Sequence, residues 1–204
     1  MKMSKIEKKF INSKRHAKKN LEVIEKIFRL IDLSGINNVL EIGCGVGVVS
    51  EHLNNNYKMT VIGTDVDPKQ IKIAKKFNKK NDNLKYIEAN ATDLPFEKDI
   101  FDLSLSLWVL HHVRDWHKVL EEINRILKPN GTIIIHDLVY SQKLVNFVNY
   151  ANSKRILKYF VKNYGVYSIN DIIDFLIKNN FELILKKSTK KGIMNNHIIV
   201  FQKN

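Results

Sequence analysis

The chain has 204 residues, 44% of them hydrophobic, which is enough to bury a full core and excludes an intrinsically disordered protein. A single cysteine excludes a disulfide framework and a zinc site built from cysteines, and we expect no metal site. No apolar run is long enough to span a membrane and the first residues lack the pattern of a secretory leader, so we expect a single-domain cytoplasmic protein.

The formal net charge of +13 is compatible with nucleic-acid binding, because clustered basic side chains bind phosphate. Only five of the 34 basic residues are arginine, however, and lysine lacks the planar fork that makes most specific contacts with bases and phosphates. Nucleic acid is therefore a partner that the composition permits but does not favour.

The first 34 residues form a basic lead-in. Apolar side chains recur at helical spacing from about His16 to Leu33, and Ser34 and Gly35 end the pattern. This spacing predicts a helix that packs on the rest of the domain through Leu21, Ile24, Ile27, Phe28 and Ile31.

A short apolar strand is predicted at 38–42, and glycines follow it at alternate positions, Gly43, Gly45 and Gly47. A glycine-rich turn between a strand and a helix lets the backbone approach a nucleotide-like ligand closely. The spacing departs from the dinucleotide pattern G-x-G-x-x-G, because Val48 stands where its third glycine would be.

A second buried strand at 59–64 stops at Asp65, about 20 residues beyond the glycine turn. An acidic residue at this place is positioned to accept hydrogen bonds from ribose hydroxyls. Asp67 competes for that role, but Asp67 followed by Pro68 is more typical of the N-cap and first turn of a helix.

Three further strands are predicted at 83–88, 101–107 and 132–137, with a turn at Pro129, Asn130 and Gly131 before the last of them. Helices are predicted between the strands, including one from Arg114 to Lys128. Parallel strands joined by helices make an open sheet whose ligands lie at the carboxyl ends of the strands.

Three motifs together resemble the class I S-adenosylmethionine-dependent methyltransferases. Glu41-x-Gly43-x-Gly45-x-Gly47 resembles the first motif of that family. Residues 89–96, Ala-Asn-Ala-Thr-Asp-Leu-Pro-Phe, resemble the third motif of small-molecule methyltransferases, especially the quinone-biosynthesis C-methyltransferases. Ser106-Leu107-Trp108 with His111-His112 resembles the fourth motif, and the likeness extends from about Gly35 to Leu138.

The resemblance implies one methyltransferase domain over residues 1–204, an α/β, doubly wound Rossmann-like fold. Its seven-stranded sheet would be mostly parallel, with an antiparallel last strand. The cofactor would be S-adenosyl-L-methionine, the product S-adenosyl-L-homocysteine, and the reaction an in-line methyl transfer to a small-molecule acceptor. The cofactor-binding residues would be Glu41, Gly43, Cys44, Gly45, Gly47, Asp65, Val66, Asn90, Ala91 and Leu107. The adenine amino group would meet Asn90 or, alternatively, the carboxylate of Asp93.

His111 and His112 are the candidate catalytic residues, with His136 as a third candidate base, because imidazole titrates near neutral pH. Neighbouring residues on an extended chain point to opposite sides, so we expect His111 and His112 not to act together.

The final third of the chain is predicted to form a cap and close the sheet. Helical spacing within 139–167 predicts two short helices that roof the active site, and we expect acceptor specificity to reside in this segment and in the N-terminal helix. Ser168 and Asp171 resemble a capping box for a helix through Lys178, and strands are predicted at 181–187 and 197–202.

The alternative functions are an RNA methyltransferase and a non-catalytic protein that binds S-adenosylmethionine or RNA. An amino-directed nucleic-acid methyltransferase would carry Asp or Asn, two prolines and an aromatic residue after the fourth strand, whereas this chain has Ser-Leu-Trp-Val-Leu-His-His at 106–112. The sequence therefore favours a small organic acceptor.

Overall fold

A computed structural model of the protein describes residues 14–77, 81–153, 164–188 and 194–204. Seven strands form one sheet in the order β3-β2-β1-β4-β5-β7-β6. β7 runs antiparallel to β5 and β6, while β1 to β5 pair in parallel, so the fold class predicted from the sequence is confirmed. The strands are β1 Asn38–Ile42, β2 Thr60–Asp65, β3 Leu84–Glu88, β4 Phe101–Leu107, β5 Leu127–Tyr140, β6 Phe181–Ser188 and β7 Met194–Lys203.

The described ranges contain six α-helices and one short 3₁₀ turn, at Leu110–His112. Hydrophobic side chains of the first three helices pack on one face of the sheet, and those of the fourth and sixth pack on the other. The helices are α1 Lys14–Phe28, α2 Val48–Tyr57, α3 Pro68–Phe77, α4 Trp116–Ile126, α5 Gln142–Ser153 and α6 Ile169–Lys178.

Helices on both faces explain why the central strands are continuous apolar runs. In β1, Leu40 and Ile42 belong to the cluster that contains α4, and Val39 belongs to the cluster under α1 and α2. A parallel sheet covered on both sides needs apolar residues at successive positions, because each face is a core. Glu41, within the same strand, is a buried acid. A buried polar group among apolar residues is costly, so the carboxyl end of β1 is a candidate functional site.

Several boundaries differ from the prediction. α1 ends at Phe28, five residues before Leu33. Pro129, Asn130 and Gly131 do not precede the fifth strand but lie within it: pairing with β4 shifts register between Phe101 and Leu103, and Asn130 has a positive φ of 63°. The three residues form an irregularity inside β5, because the backbone on both sides stays paired with β4.

β5 also continues further than predicted. Val139 and Tyr140 pair with Asn195 and Met194 of β7, so the first two residues of the predicted cap belong to the sheet. The first cap helix corresponds to α5, and the second falls within 154–163, outside the described residues. The capping box of α6 is confirmed, because Ser168 Oγ accepts from Asp171 N–H at 3.3 Å and Asp171 accepts from Ser168 N–H at 2.7 Å.

Within the ranges given above, every helix is too short or too polar to cross a lipid bilayer.

Candidate active site

A cavity opens at the carboxyl ends of β1, β2 and β4. β1 lies between β2 and β4 in the sheet, and the strand order reverses at this point. The loops that follow β1 and β4 therefore turn to opposite sides and leave a crevice between them. Nine of the ten predicted cofactor-binding residues line this cavity: Glu41, Gly43, Cys44, Gly45, Asp65, Val66, Asn90, Ala91 and Leu107.

The glycine loop forms the floor of the cavity. Gly43 and Gly45 both have positive φ, 69° and 56°. A Cβ on Gly43 would lie 2.3 Å from a methyl group of Val109, whereas a Cβ on Gly45 would meet no atom within 4 Å. The space above Gly45 is therefore open, and a side chain there would occupy it. This is the arrangement that a ligand in close contact with the backbone requires.

Gly47, the tenth residue, does not line the cavity. It precedes α2 with a φ of 83°, and a Cβ there would lie 2.4 Å from the hydroxyl oxygen of Tyr86. The Tyr86 hydroxyl donates to the Gly47 carbonyl oxygen at 2.9 Å. Gly47 thus allows helix and strand to pack closely, which is the usual function of the last glycine in such a turn.

Asp65 and Asp67 occupy different environments. Asp65 lines the cavity, and its carboxylate accepts from the Gly45 N–H at 3.0 Å and the Asp67 N–H at 2.8 Å. Asp67 is buried and accepts from the Lys69 N–H at 3.1 Å, as expected for the N-cap of α3. Of the two acids, the structure brings Asp65 to the cavity.

Glu41 places a second carboxyl group beside Asp65. Its side chain is 3% exposed, and the Ser50 hydroxyl donates to it. Burial raises the pKa of Glu41 from 4.5 to about 7, the Ser50 hydrogen bonds oppose that rise, and the charge of Asp65 adds to it. Glu41 therefore exchanges a proton near neutral pH.

Cys44 and Asn90 complete the polar lining of the cavity near the glycine loop. Burial raises the pKa of the Cys44 thiol well above its ordinary value, so it stays neutral and acts as a small side chain. The side-chain oxygen of Asn90 accepts from the Thr92 N–H at 3.1 Å, which leaves the amide NH₂ as its other polar group. Asp93 is exposed and does not line the cavity.

The two adjacent histidines do not lie on an extended chain. They belong to the 3₁₀ turn Leu110–His112, and their ring centroids are 4.0 Å apart, so the expectation that they point to opposite sides was wrong. The tight turn brings both rings to one side, because successive residues rotate by only a third of a turn. His112 lines the cavity, whereas His111 pairs through Nδ1 with the carboxylate of Asp137 and does not.

Asp137 holds this turn in place and was missed by the sequence analysis. Its carboxylate, 1% exposed, accepts from the N–H groups of Val109 at 3.1 Å and Leu110 at 2.7 Å, besides its pairing with His111. One buried acid thus fixes the backbone that carries His112. An acid in the carboxyl-terminal half of β5, the neighbour of β4, was the available signal.

Trp108 and α1 form the opposite wall. Trp108 has a φ of 63°, uncommon for a bulky residue and typical of functional sites. Its indole N–H donates to Asn20 Oδ1 at 3.2 Å, and Asn20 and Ala17 of α1 line the cavity. His136, the third candidate base, is buried against the Trp108 ring with centroids 4.6 Å apart and is not a lining residue.

The predicted cap has a different position in its described part. Within the described part of the cap, residues 139–151 and 164–167 do not line the cavity, whereas Ala17 and Asn20 of α1 do. At the other end of the segment, Gly165 N–H donates to the His111 carbonyl oxygen at 3.1 Å, and the Tyr164 ring lies 6.3 Å from that of His112. Tyr164 and Gly165 therefore support the histidine turn.

Comparison with known proteins agrees with this geometry. Residues 40–135 match the family model described as "Methyltransferase domain". The chain is 36% identical over 112 residues to demethylmenaquinone methyltransferase of Lactococcus lactis, covering 52% of this chain and 43% of that protein. This stretch of the chain is therefore similar to methyltransferase domains. Methyltransferase GfsG of Streptomyces halstedii is 30% identical over 118 residues, covering 56% of this chain and 42% of that protein.

The likeness in fold to solved structures extends beyond the matched stretch. The crystal structure of the PH0226 protein from Pyrococcus horikoshii superposes with a TM-score of 0.73 at 21% identity, covering 95% of this chain and 93% of that one. A Haemonchus contortus phosphoethanolamine N-methyltransferase, solved with phosphomonomethylethanolamine and S-adenosylhomocysteine, gives a TM-score of 0.72 at 17% identity, covering 91% of this chain and 52% of that one. These likenesses concern the fold. The chain spans less than half the length of the two relatives named above.

Proposed function

We propose that the protein transfers the methyl group of S-adenosylmethionine to a small-molecule acceptor by in-line displacement. The proposal rests on one observation: a single cavity has two halves that differ in the chemistry of their side chains. One half has the glycine loop, Glu41 and Asp65, and the other has Trp108 and His112. The Lactococcus relative is a demethylmenaquinone methyltransferase, and this supports a small organic acceptor.

The residues of the first half suit the cofactor. The open space above Gly45 admits a ligand against the backbone, and the Asp65 carboxylate is a charge-assisted acceptor for ribose hydroxyls. Asn90 and Leu107 would border the adenine and the methionine arm. S-adenosylmethionine supplies, when bound, a methyl group already activated by its sulfonium, so the protein contributes alignment and exclusion of water.

His112 acts as the base for acceptors that must lose a proton. Its imidazole lines the acceptor half of the cavity, within the turn that Asp137 fixes. His111 positions that turn through its pairing with Asp137 and does not touch the acceptor. A nucleophile without a proton to lose would not need His112, so the effect of replacing it depends on the acceptor atom.

Calorimetry tests the cofactor part of this proposal. We expect S-adenosylmethionine and S-adenosylhomocysteine to bind and NAD not to bind, because the glycine spacing departs from the dinucleotide pattern. A cofactor at 100 times its dissociation constant should stabilise the fold by about 2.7 kcal/mol, visible as a rise in Tm. Binding of NAD, or of neither sulfur compound, would contradict the assignment.

The acceptor part needs a second experiment. The protein is incubated with a cell extract and S-adenosylmethionine carrying a heavy-isotope methyl group, and mass spectrometry then finds the labelled molecule. Extracts treated with ribonuclease serve as the control for RNA. Label in a small molecule that survives this treatment supports the proposal, whereas label confined to RNA would favour an RNA methyltransferase.

A further inference from the structure

The acceptor half of the cavity has few polar groups. Ala17, Val109 and Val113 contribute apolar surface, and Trp108 contributes an indole ring. The carboxylates of the lining, Glu41 and Asp65, both belong to the cofactor half. A wall of this composition suits a largely apolar molecule and offers no carboxylate to pair with a cationic one.

Asn20 presents a hydrogen-bond donor to this half. The indole N–H of Trp108 can only donate, so the group facing it at 3.2 Å is the Asn20 side-chain oxygen. That bond fixes the orientation of the amide and leaves its NH₂ group as the remaining polar group. Asn20 lines the cavity, and no described residue accepts from that NH₂. Asn20 is half-buried, so water can accept from this NH₂ when no ligand is bound, and a ligand oxygen can take the place of that water.

Lys19 places a positive charge beside this wall, at an exposed position outside the cavity lining. Its ammonium lies 5.3 Å from the centroid of the Trp108 ring, on the helix that supplies Ala17 and Asn20. Lys18, the preceding residue, is exposed as well, and α1 contains no acidic residue before Glu22. The charge of Lys19 favours a negatively charged oxygen over a neutral one on the side of the cavity that faces α1.

We propose that the methyl acceptor is a largely apolar molecule with an anionic oxygen, and that Asn20 and Lys19 select for that oxygen. The inference rests on the proposed function, in that it places the acceptor beside Trp108. It assigns α1 to substrate selection, and it makes Asn20 a donor to the ligand as well as a partner of Trp108.

Two probes of nearly equal shape test the selection. Naphthoate carries the anionic oxygen, and naphthamide replaces it by a neutral amide. Their affinities are measured by quenching of tryptophan fluorescence, with and without S-adenosylhomocysteine. We expect the wild-type protein to bind naphthoate about five- to tenfold more tightly than naphthamide. Lys19→Gln should reduce that ratio about threefold, whereas Lys26→Gln, which removes an exposed charge further along α1, should keep it.

Substitutions of Asn20 distinguish two roles of this residue, namely binding of the acceptor oxygen and support of the Trp108 ring. Asn20→Asp keeps an oxygen that accepts from the indole N–H but replaces the NH₂ by a second carboxylate oxygen. We expect naphthoate to lose its advantage in this variant, and Asn20→Ala to lose part of it. If Asn20 only supports Trp108, Asn20→Ala will keep the wild-type ratio of the two affinities, because it removes no donor to the ligand. Thermal melts verify that each variant folds.

The outcomes distinguish this inference from the proposed function. Tight binding of S-adenosylhomocysteine with equal affinities for the two probes, or with no binding of either, overturns the inference and leaves the methyltransferase assignment standing. Selection for naphthoate without binding of S-adenosylhomocysteine supports the anionic site and contradicts the proposed cofactor.

Discussion

The buried carboxyl of Glu41 makes the stability of the fold depend on pH. The pKa of Glu41 is about 7 in the folded protein and 4.5 when the side chain is free in solvent. Between those values the folded state binds the proton and the unfolded state does not, so the free energy of unfolding falls as pH rises through this interval. Above about pH 8 the group is ionised in both states, and this contribution is lost.

The size of the effect follows from the shift. Each pKa unit corresponds to about 1.36 kcal/mol, so a rise of roughly 2.5 units is worth about 3 kcal/mol in full. Most of it, about 2.5 kcal/mol, is lost between pH 5 and pH 8. Glu41→Gln keeps a hydrogen-bonding partner for the Ser50 hydroxyl but cannot ionise. The free energy of unfolding of this variant should therefore lack this dependence on pH.

Urea unfolding at pH 5, 6, 7 and 8 measures the difference between wild type and Glu41→Gln. We expect the variant to gain about 2.5 kcal/mol relative to wild type between pH 5 and pH 8, with the steepest change below pH 7. Glu182→Gln makes the same chemical change at an exposed position of β6, and should follow the wild type at every pH. A constant difference between wild type and Glu41→Gln across the series would refute the reasoning.

Three further substitutions test the site. Asp65→Ala should weaken S-adenosylhomocysteine binding by about 1.5 to 3 kcal/mol for each charge-assisted bond lost, and calorimetry that instead shows the loss in Asp67→Ala would identify Asp67 as the ribose ligand. Gly45→Ala should destabilise the fold by about 1 to 2 kcal/mol because its φ is positive, and should also weaken cofactor binding because the new methyl group enters the cavity; unchanged affinity would place the cofactor elsewhere. Asp137→Asn should lower kcat for the acceptor while leaving cofactor affinity unchanged, because the carboxylate holds the histidine turn; a loss of cofactor affinity alone would contradict that role.

The sequence predicted most reliably those site residues whose position follows from the pattern of their immediate neighbours. Gly43, Gly45 and Asp65 were predicted at the ligand edge of the sheet because strand ends and turn glycines leave strong local signals, and all three line the cavity. The capping box at Ser168 was equally local, since its two hydrogen bonds join residues three apart.

What the sequence did not predict depends on contacts between distant residues. The N-terminal helix was expected to contribute to acceptor specificity, but Asn20 and Trp108 are 88 positions apart, so the sequence did not show which of its residues reach the cavity. Asp137 reaches back 26 residues to His111, and the 3₁₀ turn exists because that acid binds its backbone. Without the partner, two adjacent histidines after a strand were reasonably taken as extended. The cap was predicted over 139–167 from helical spacing and length, and neither shows where a segment packs: residues 139–151 do not line the cavity.

The position of β7 in the sheet has a consequence for synthesis on the ribosome. β7 lies between β5 and β6, yet it is made after both. Until it emerges, the buried residues of β5 from Thr132 to Tyr140 present an unpaired edge. At a translation rate of 5 to 20 residues per second, the interval between the end of β5 and the end of β7 lasts on the order of ten seconds. During that interval the nascent chain exposes an apolar strand edge, the kind of surface that chaperones bind and that aggregates when left uncovered.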